Sequence, residues 1–194
     1  MKTLSLIILI IFSSCSKPIQ VETPKQPKLI SDTTKIVSKM VTYILSQSNT
    51  DSITAKQISN RVVKNVGLDK EKISTILGVF RVESRFKHSA HSEKGANGIG
   101  QLTEIAVDDY VTKQKLTSKP NILKLDDNID VSIWVLHFAK DHYTKKKDLE
   151  SALAMYNGGL RQLRKYEQGK RICKETRNYI DSVLKYKSDV RSIL

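Results

Sequence analysis

The chain has 194 residues, 39% of them hydrophobic, enough for one compact domain with short additions. Its net charge of +13 and pI near 9.7 imply anionic partners. No zinc spacing, RNA-binding signature or recognition-helix motif accompanies that charge, so nucleic acid is excluded as the reading, and a solvated basic surface facing cell-wall polymer or phospholipid headgroups fits better.

In chain order, Lys2 and the apolar run Leu4 to Phe12 form a targeting segment too short to span a bilayer. The small residues Ser13 and Ser14 stand directly before Cys15, a pattern similar to the lipobox of bacterial lipoproteins. That similarity implies cleavage before Cys15 and lipidation there; an ordinary secretory leader cut nearby is the alternative. Residues 16–32 hold Pro18, Pro24 and Pro27 among Lys, Gln and Thr, and read as an extended tether. The folded domain is then 33–194. With Cys15 lipidated, only Cys173 remains, so the fold needs no disulfide; Cys173 is expected as a small packing residue.

The domain reads as a series of helices. Ile36, Val37, Met40, Val41, Ile44 and Leu45 share one face, with an N-cap expected at Ser31 or Asp32. Ile58, Val62 and Val63 mark a second helix closed by Gly67, and Asp69 opens a third. In that helix Ile73, Ile76, Leu77 and Phe80 recur at helical spacing, while Val79 and Val82 widen the apolar surface. Glu83 follows near its end, stacked beside Val79 and Phe80. An apolar setting and the helix C-terminus both raise a carboxylate's pKa, as a general acid requires. The plainer alternative is a surface Glu paired with Arg81 or Arg85. Residues 97–100 form a tight loop, with short flanking strands an option. A helix is expected over 128–143 with Ile129, Ile133, Trp134, Leu136 and Phe138 on its apolar face. A short helix over 148–157 ends at Gly158-Gly159, and a last helix covers 176–187, turning Tyr179, Ile180, Val183 and Leu184 inward.

Four short motifs in this order resemble the lysozyme-like lytic transglycosylases, relatives of goose-type lysozyme. They are Glu83-Ser84; Ser92 with Gly95-Ala96-Asn97-Gly98-Ile99-Gly100-Gln101; Ala154-Met155-Tyr156-Asn157-Gly158-Gly159; and Glu175-Thr176-Arg177-Asn178-Tyr179. The resemblance spans roughly Ile73 to Leu184. Departures are Thr103 where the family often has Met, Glu104 where Pro often follows, and Lys87-His88 in place of Asn-Pro. These bear on the shape of the sugar subsites rather than on the acid.

The resemblance implies a mostly α, lysozyme-like single catalytic domain. It implies cleavage of peptidoglycan glycan strands between N-acetylmuramic acid and N-acetylglucosamine, with anhydromuramoyl ends. A hydrolytic muramidase of the same fold and an inactive cell-wall-binding lipoprotein are the alternatives. The enzyme would act as a monomer without cofactor or metal, in the cell envelope, held by Cys15 on the outer membrane facing the periplasm. Glu83 is the implied acid and later base, because the substrate's C6 hydroxyl attacks intramolecularly and no second carboxylate is required. Asp108 and Asp109 could face a cleft only one at a time, with solvated surface as the alternative. Ser84, Ser92, Gln101, Thr103, Tyr156, Asn157 and Tyr179 are the expected substrate-binding residues. Gln101 suits sugar hydroxyls or an acetamido group but could equally cap its loop; Ser92 could be ordinary turn chemistry. Tyr156 is expected to send its hydroxyl to Glu83, with plain core packing as the alternative. His88 and His91, three apart, lack a third partner for a metal.

Overall fold

A computed structural model describes residues 26–194, with side chains from 30 onward. The leader, Cys15 and the first part of the tether lie outside the described residues. Seven α-helices and one π-helical turn make up the rest: α1 Gln26–Gln47, α2 Ser52–Val66, α3 Lys70–Glu83, α4 Glu104–Gln114, α5 Leu125–Phe138, the π turn Ala139–Tyr143, α6 Leu149–Glu167 and α7 Lys174–Ile193. In place of the short flanking strands left as an option there are two isolated bridges, His91 with Asn97 and Asn97 with Leu102. The architecture is mostly α, as expected.

Helix α3 is the central element. Asp69 caps it, accepting from the N–H groups of Glu71 and Lys72, and every residue from Ile73 to Phe80 is buried. It packs along α7, which Gly78 permits. A Cβ there would stand 3.0 Å from the Val183 carbonyl oxygen and 3.2 Å from the Lys187 amide nitrogen. Met40 and Ile44 of α1, Ile58 and Val62 of α2, Ile129 of α5, Leu153 of α6 and Ile180 of α7 close around the same core. A smaller cluster of Leu102, Val107, Ile122 and Val131 fastens α4 to the outer side of α5.

The structure corrects several expectations. Among the described residues helix α1 already runs from Gln26, inside the stretch expected to be extended, so Ser31 and Asp32 lie within it rather than at its N-cap. Leu45 is exposed, because Ile44 already fills the core position beside it. Helix α5 begins three residues before Asn128, which places that asparagine inside the helix rather than at its start. Trp134 and Phe138 are only half-buried and stack on each other (4.5 Å, 20°), leaving Ile129, Ile133 and Leu136 to face the core. Helix α6 does break at the double glycine, where Gly159 has φ 65° and ψ −172°, but a second helical stretch continues to Glu167. Its Gln162 and Leu163 are buried. Cys173 is exposed rather than packed: it sits at the N-cap of α7, its Sγ 3.1 Å from the Thr176 hydroxyl, and that contact draws its pKa down.

Candidate active site

The site forms where the end of α3 meets the glycine turn, α6 and α7. Glu83 is the last residue of α3 and is partly buried. Neither Arg81 nor Arg85 pairs with it within the described residues. Burial instead raises its pKa to about 7, and the Tyr179 hydroxyl, by donating toward the carboxylate, offsets part of that rise. Tyr179 comes from α7, and its phenol pKa is raised well above 10.0, by burial first and by the Glu83 charge second. Its hydroxyl is buried and makes no hydrogen bond of good geometry, so it faces Glu83 without a competing partner.

Tyr156 is also buried at its phenol and lies within electrostatic reach of Glu83. Its hydroxyl, however, donates to the Gly100 carbonyl oxygen at 2.8 Å. The expected Tyr156–Glu83 hydrogen bond is therefore replaced by one to the glycine turn, and Tyr179 holds the place beside the acid. The physical reason is the depth of the turn. Gly100 packs so closely on α5 and α6 that a Cβ would lie 1.9 Å from the Ser132 Oγ and 3.0 Å from the Tyr156 hydroxyl.

One side chain missing from the sequence reading holds this turn. Asn128, only 1% exposed, accepts the Gly100 N–H at 2.9 Å through Oδ1. Its Nδ2 donates to the carbonyls of Asn97 and Ile122, each at 2.9 Å. Gly98, at φ 77°, leaves room for it: a Cβ there would meet the Asn128 Nδ2 at 2.1 Å. The signal that could have revealed Asn128 was an amide one helical turn before Ser132 on an otherwise apolar helix face.

The remaining candidates hold the site's frame. Ser84 donates to the Ile99 carbonyl at 2.8 Å and so ties the end of α3 to the turn. Gln101 has φ 48°, and its Nε2 donates to Gly98 at 2.9 Å and Ala90 at 3.3 Å, which is the loop-capping arrangement and leaves Oε1 available. Ser92 accepts the Ala96 N–H at 3.0 Å as part of its turn. Thr103 caps α4, accepting from Ala106. Asn157 accepts the Thr176 hydroxyl at 2.8 Å and joins α6 to α7. Asp108 pairs with Lys119, and Asp109 accepts the Tyr143 hydroxyl at 3.0 Å, so both carboxylates are engaged away from Glu83. His91 Nδ1 is bonded to Asn97 Oδ1 at 2.8 Å, and the described residues contain no cluster of three metal-ligating side chains.

A lone carboxyl pushed toward neutrality, flanked by two buried phenols and a glycine turn, can give a proton to a leaving oxygen and take one back. Comparisons with known proteins bear on the fold and the family. No curated protein matches the chain. Among solved structures it is similar to an inactive mutant of the lytic transglycosylase Slt from Pseudomonas aeruginosa, with a TM-score of 0.58 and 22% identity. That match covers 85% of this chain and 30% of the other, and it supports the lysozyme-like fold. The profile of the Transglycosylase SLT domain matches residues 65–179, from the end of α2 to Tyr179. The chain belongs to the Transglycosylase SLT domain family.

Proposed function

We propose that this protein is a peptidoglycan lytic transglycosylase that cleaves the bond between N-acetylmuramic acid and N-acetylglucosamine. The observation that carries this reading is Glu83, a carboxyl held near pKa 7 by burial while Asp108 and Asp109 are engaged elsewhere. The protonated Glu83 gives its proton to the glycosidic oxygen as the C1–O bond breaks. The resulting carboxylate faces a cation-like C1, to which the C6 hydroxyl of the same sugar adds. The hydroxyl proton passes to Glu83, which restores the acid and leaves a 1,6-anhydro end. The attack is intramolecular, so high effective molarity replaces a second carboxylate. Gln101 Oε1, without a partner among the described residues, would accept from a sugar hydroxyl or acetamido N–H.

The end groups of released muropeptides test this reading by mass spectrometry. Anhydro ends are the expected product. Reducing ends would assign a hydrolytic muramidase on the same fold, and no release would assign a wall-binding protein without turnover. The finer reading of location rests on Cys15: lipidation there would tether the domain to the outer membrane, facing the periplasm, through residues 16–25 and α1. The net charge of +13 would favour contact with an anionic wall and membrane surface.

A further inference from the structure

Residues 161–177, the end of α6 and the connection into α7, carry seven lysines and arginines against two carboxylates. Arg161, Arg164, Lys170, Arg171, Lys174 and Arg177 are exposed, and among the described residues none of them has a carboxylate within ion-pair distance. The three lysines of residues 145–147 join this group. The Lys145 N–H donates to the Glu167 carboxylate, which lays that loop against the end of α6.

This end stays positive because its carboxylates are engaged by other groups. Asp148 caps α6 through the Ser151 N–H at 2.7 Å, Glu150 accepts the Tyr166 hydroxyl, and Glu167 accepts the Lys145 N–H. Glu175 reaches only Lys94, at 4.0 Å. The Arg177 guanidinium lies 5.6 Å over the Tyr166 ring. The break at Gly159 decides which way the second stretch of α6 faces. Gln162 and Leu163 turn inward, and the Gln162 amide oxygen accepts the Cys173 N–H at 3.0 Å. Arg161 and Arg164 are left outward, with Leu160 44% exposed beside them.

We infer that this end of the molecule docks on a bilayer of anionic phospholipid. Basic side chains without counter-charge are drawn to a negative headgroup layer, and each one near the surface adds to the affinity. Leu160 separates a bilayer from a soluble polyanion, since only a bilayer offers an apolar layer beneath its charge. A single-stranded nucleic acid would stack its bases on open aromatic rings, whereas Tyr166 is half-buried beneath Arg177. The consequence for the protein is orientation. Helices α6 and α7 also carry Tyr156 and Tyr179, so docking through their joined ends would hold the Glu83 site beside the lipid surface. An acyl anchor at Cys15 would limit distance from the membrane; this face would set which side of the domain meets it. The docking is read by binding alone and does not depend on the proposed turnover.

Cosedimentation with vesicles tests this in the full chain carrying Cys15→Ser, which removes the lipidated thiol and is common to every variant. The vesicles are equal parts phosphatidylglycerol and phosphatidylcholine, with phosphatidylcholine alone as the uncharged control. The chain should bind the anionic vesicles and leave them as salt is raised. Lys170→Glu/Arg171→Glu/Lys174→Glu should weaken that binding by about a hundredfold or more. Lys35→Glu/Lys56→Glu/Lys64→Glu changes the net charge equally, at exposed positions of α1 and α2, and should cost less than about tenfold. Leu160→Ser should weaken vesicle binding about threefold and leave binding of soluble polyphosphate unchanged. All of these side chains are exposed, so thermal midpoints should match the parent chain. Equal losses in the two triple variants would overturn the inference, because net charge alone would then account for binding. Equal binding to uncharged vesicles would overturn it too, as would binding of polyphosphate or DNA that depends on residues 170–174 without any binding to vesicles.

Discussion

Tyr179 and Glu83 meet across the packed pair α3 and α7, 96 residues apart in sequence, with the buried phenol facing the carboxyl and no other partner competing for it. Burial drives the Glu83 pKa up and the phenol moderates the rise, so the acid settles near neutrality. An acid in that range is protonated often enough to give a proton and ionised often enough to take one back.

Glu83→Gln should abolish release of muropeptides, because the amide keeps the shape but has no acidic proton. It should also change the stability profile with pH. The folded-state pKa of Glu83, about 7, exceeds its ordinary 4.5, so the folded protein binds the extra proton and wild-type stability falls as pH rises from 4.5 through 7. The glutamine variant escapes that loss. Its thermal midpoint should match the wild type near pH 4.5 and exceed it at pH 8, by up to about 3 kcal/mol in stability. Equal midpoints at pH 8 would mean that Glu83 titrates as an ordinary surface carboxylate.

The pH–rate profile follows from the same group. Because the protonated form does the first step, wild-type kcat/KM should fall as pH rises through about 7. Tyr179→Phe removes the donor that lowers the Glu83 pKa, so the alkaline limb should move to higher pH. Turnover should drop about tenfold or more as the carboxyl loses its orientation. An unchanged profile in this variant would detach Tyr179 from the acid.

Tyr156→Phe should act differently. The hydroxyl lost there holds the Gly100 carbonyl, so the expected cost is about 1 to 2 kcal/mol in stability from an unpaired buried acceptor. Turnover should fall through a loosened glycine turn, with a smaller displacement of the pH profile than in Tyr179→Phe. Denaturant unfolding and a pH series on both variants separate the two roles.

Asn128→Ala should destabilise the domain by about 2 to 4 kcal/mol, since the buried Gly100 N–H and Ile122 carbonyl lose their side-chain partner together and the Asn97 carbonyl keeps only the Leu102 N–H. Hydrogen exchange should localise the loss of protection to the Gly98–Gly100 turn. A variant as stable as the wild type would show that the turn does not depend on α5.

Cys15→Ser should leave an unlipidated form with a changed mass that no longer partitions into detergent. A wild-type mass and unchanged partitioning of the variant would remove the anchor.

What the sequence by itself determined was local in its physics. Helical spacing from Ile73 to Phe80 marks the buried helix, Asp69 its start and Gly67 the end of the helix before it. Those features depend on residues within a turn or two of each other, as does the break at Gly158-Gly159. The four motifs also carried the family, because their residue types and order survive in one dimension. Only the tertiary structure decided which phenol reaches the acid. Tyr156 and Tyr179 are alike in size, polarity and motif context, and the choice between them depends on how deeply Gly100 seats against Ser132. Asn128 was invisible for a related reason: its three partners lie up to 31 residues away, and a buried amide differs from a surface one only through them. A cavity beside Arg81 and Arg85 is likewise a product of packing. Beside it the Phe86 ring packs edge-on to Tyr43, a contact between residues 43 positions apart that no local pattern encodes.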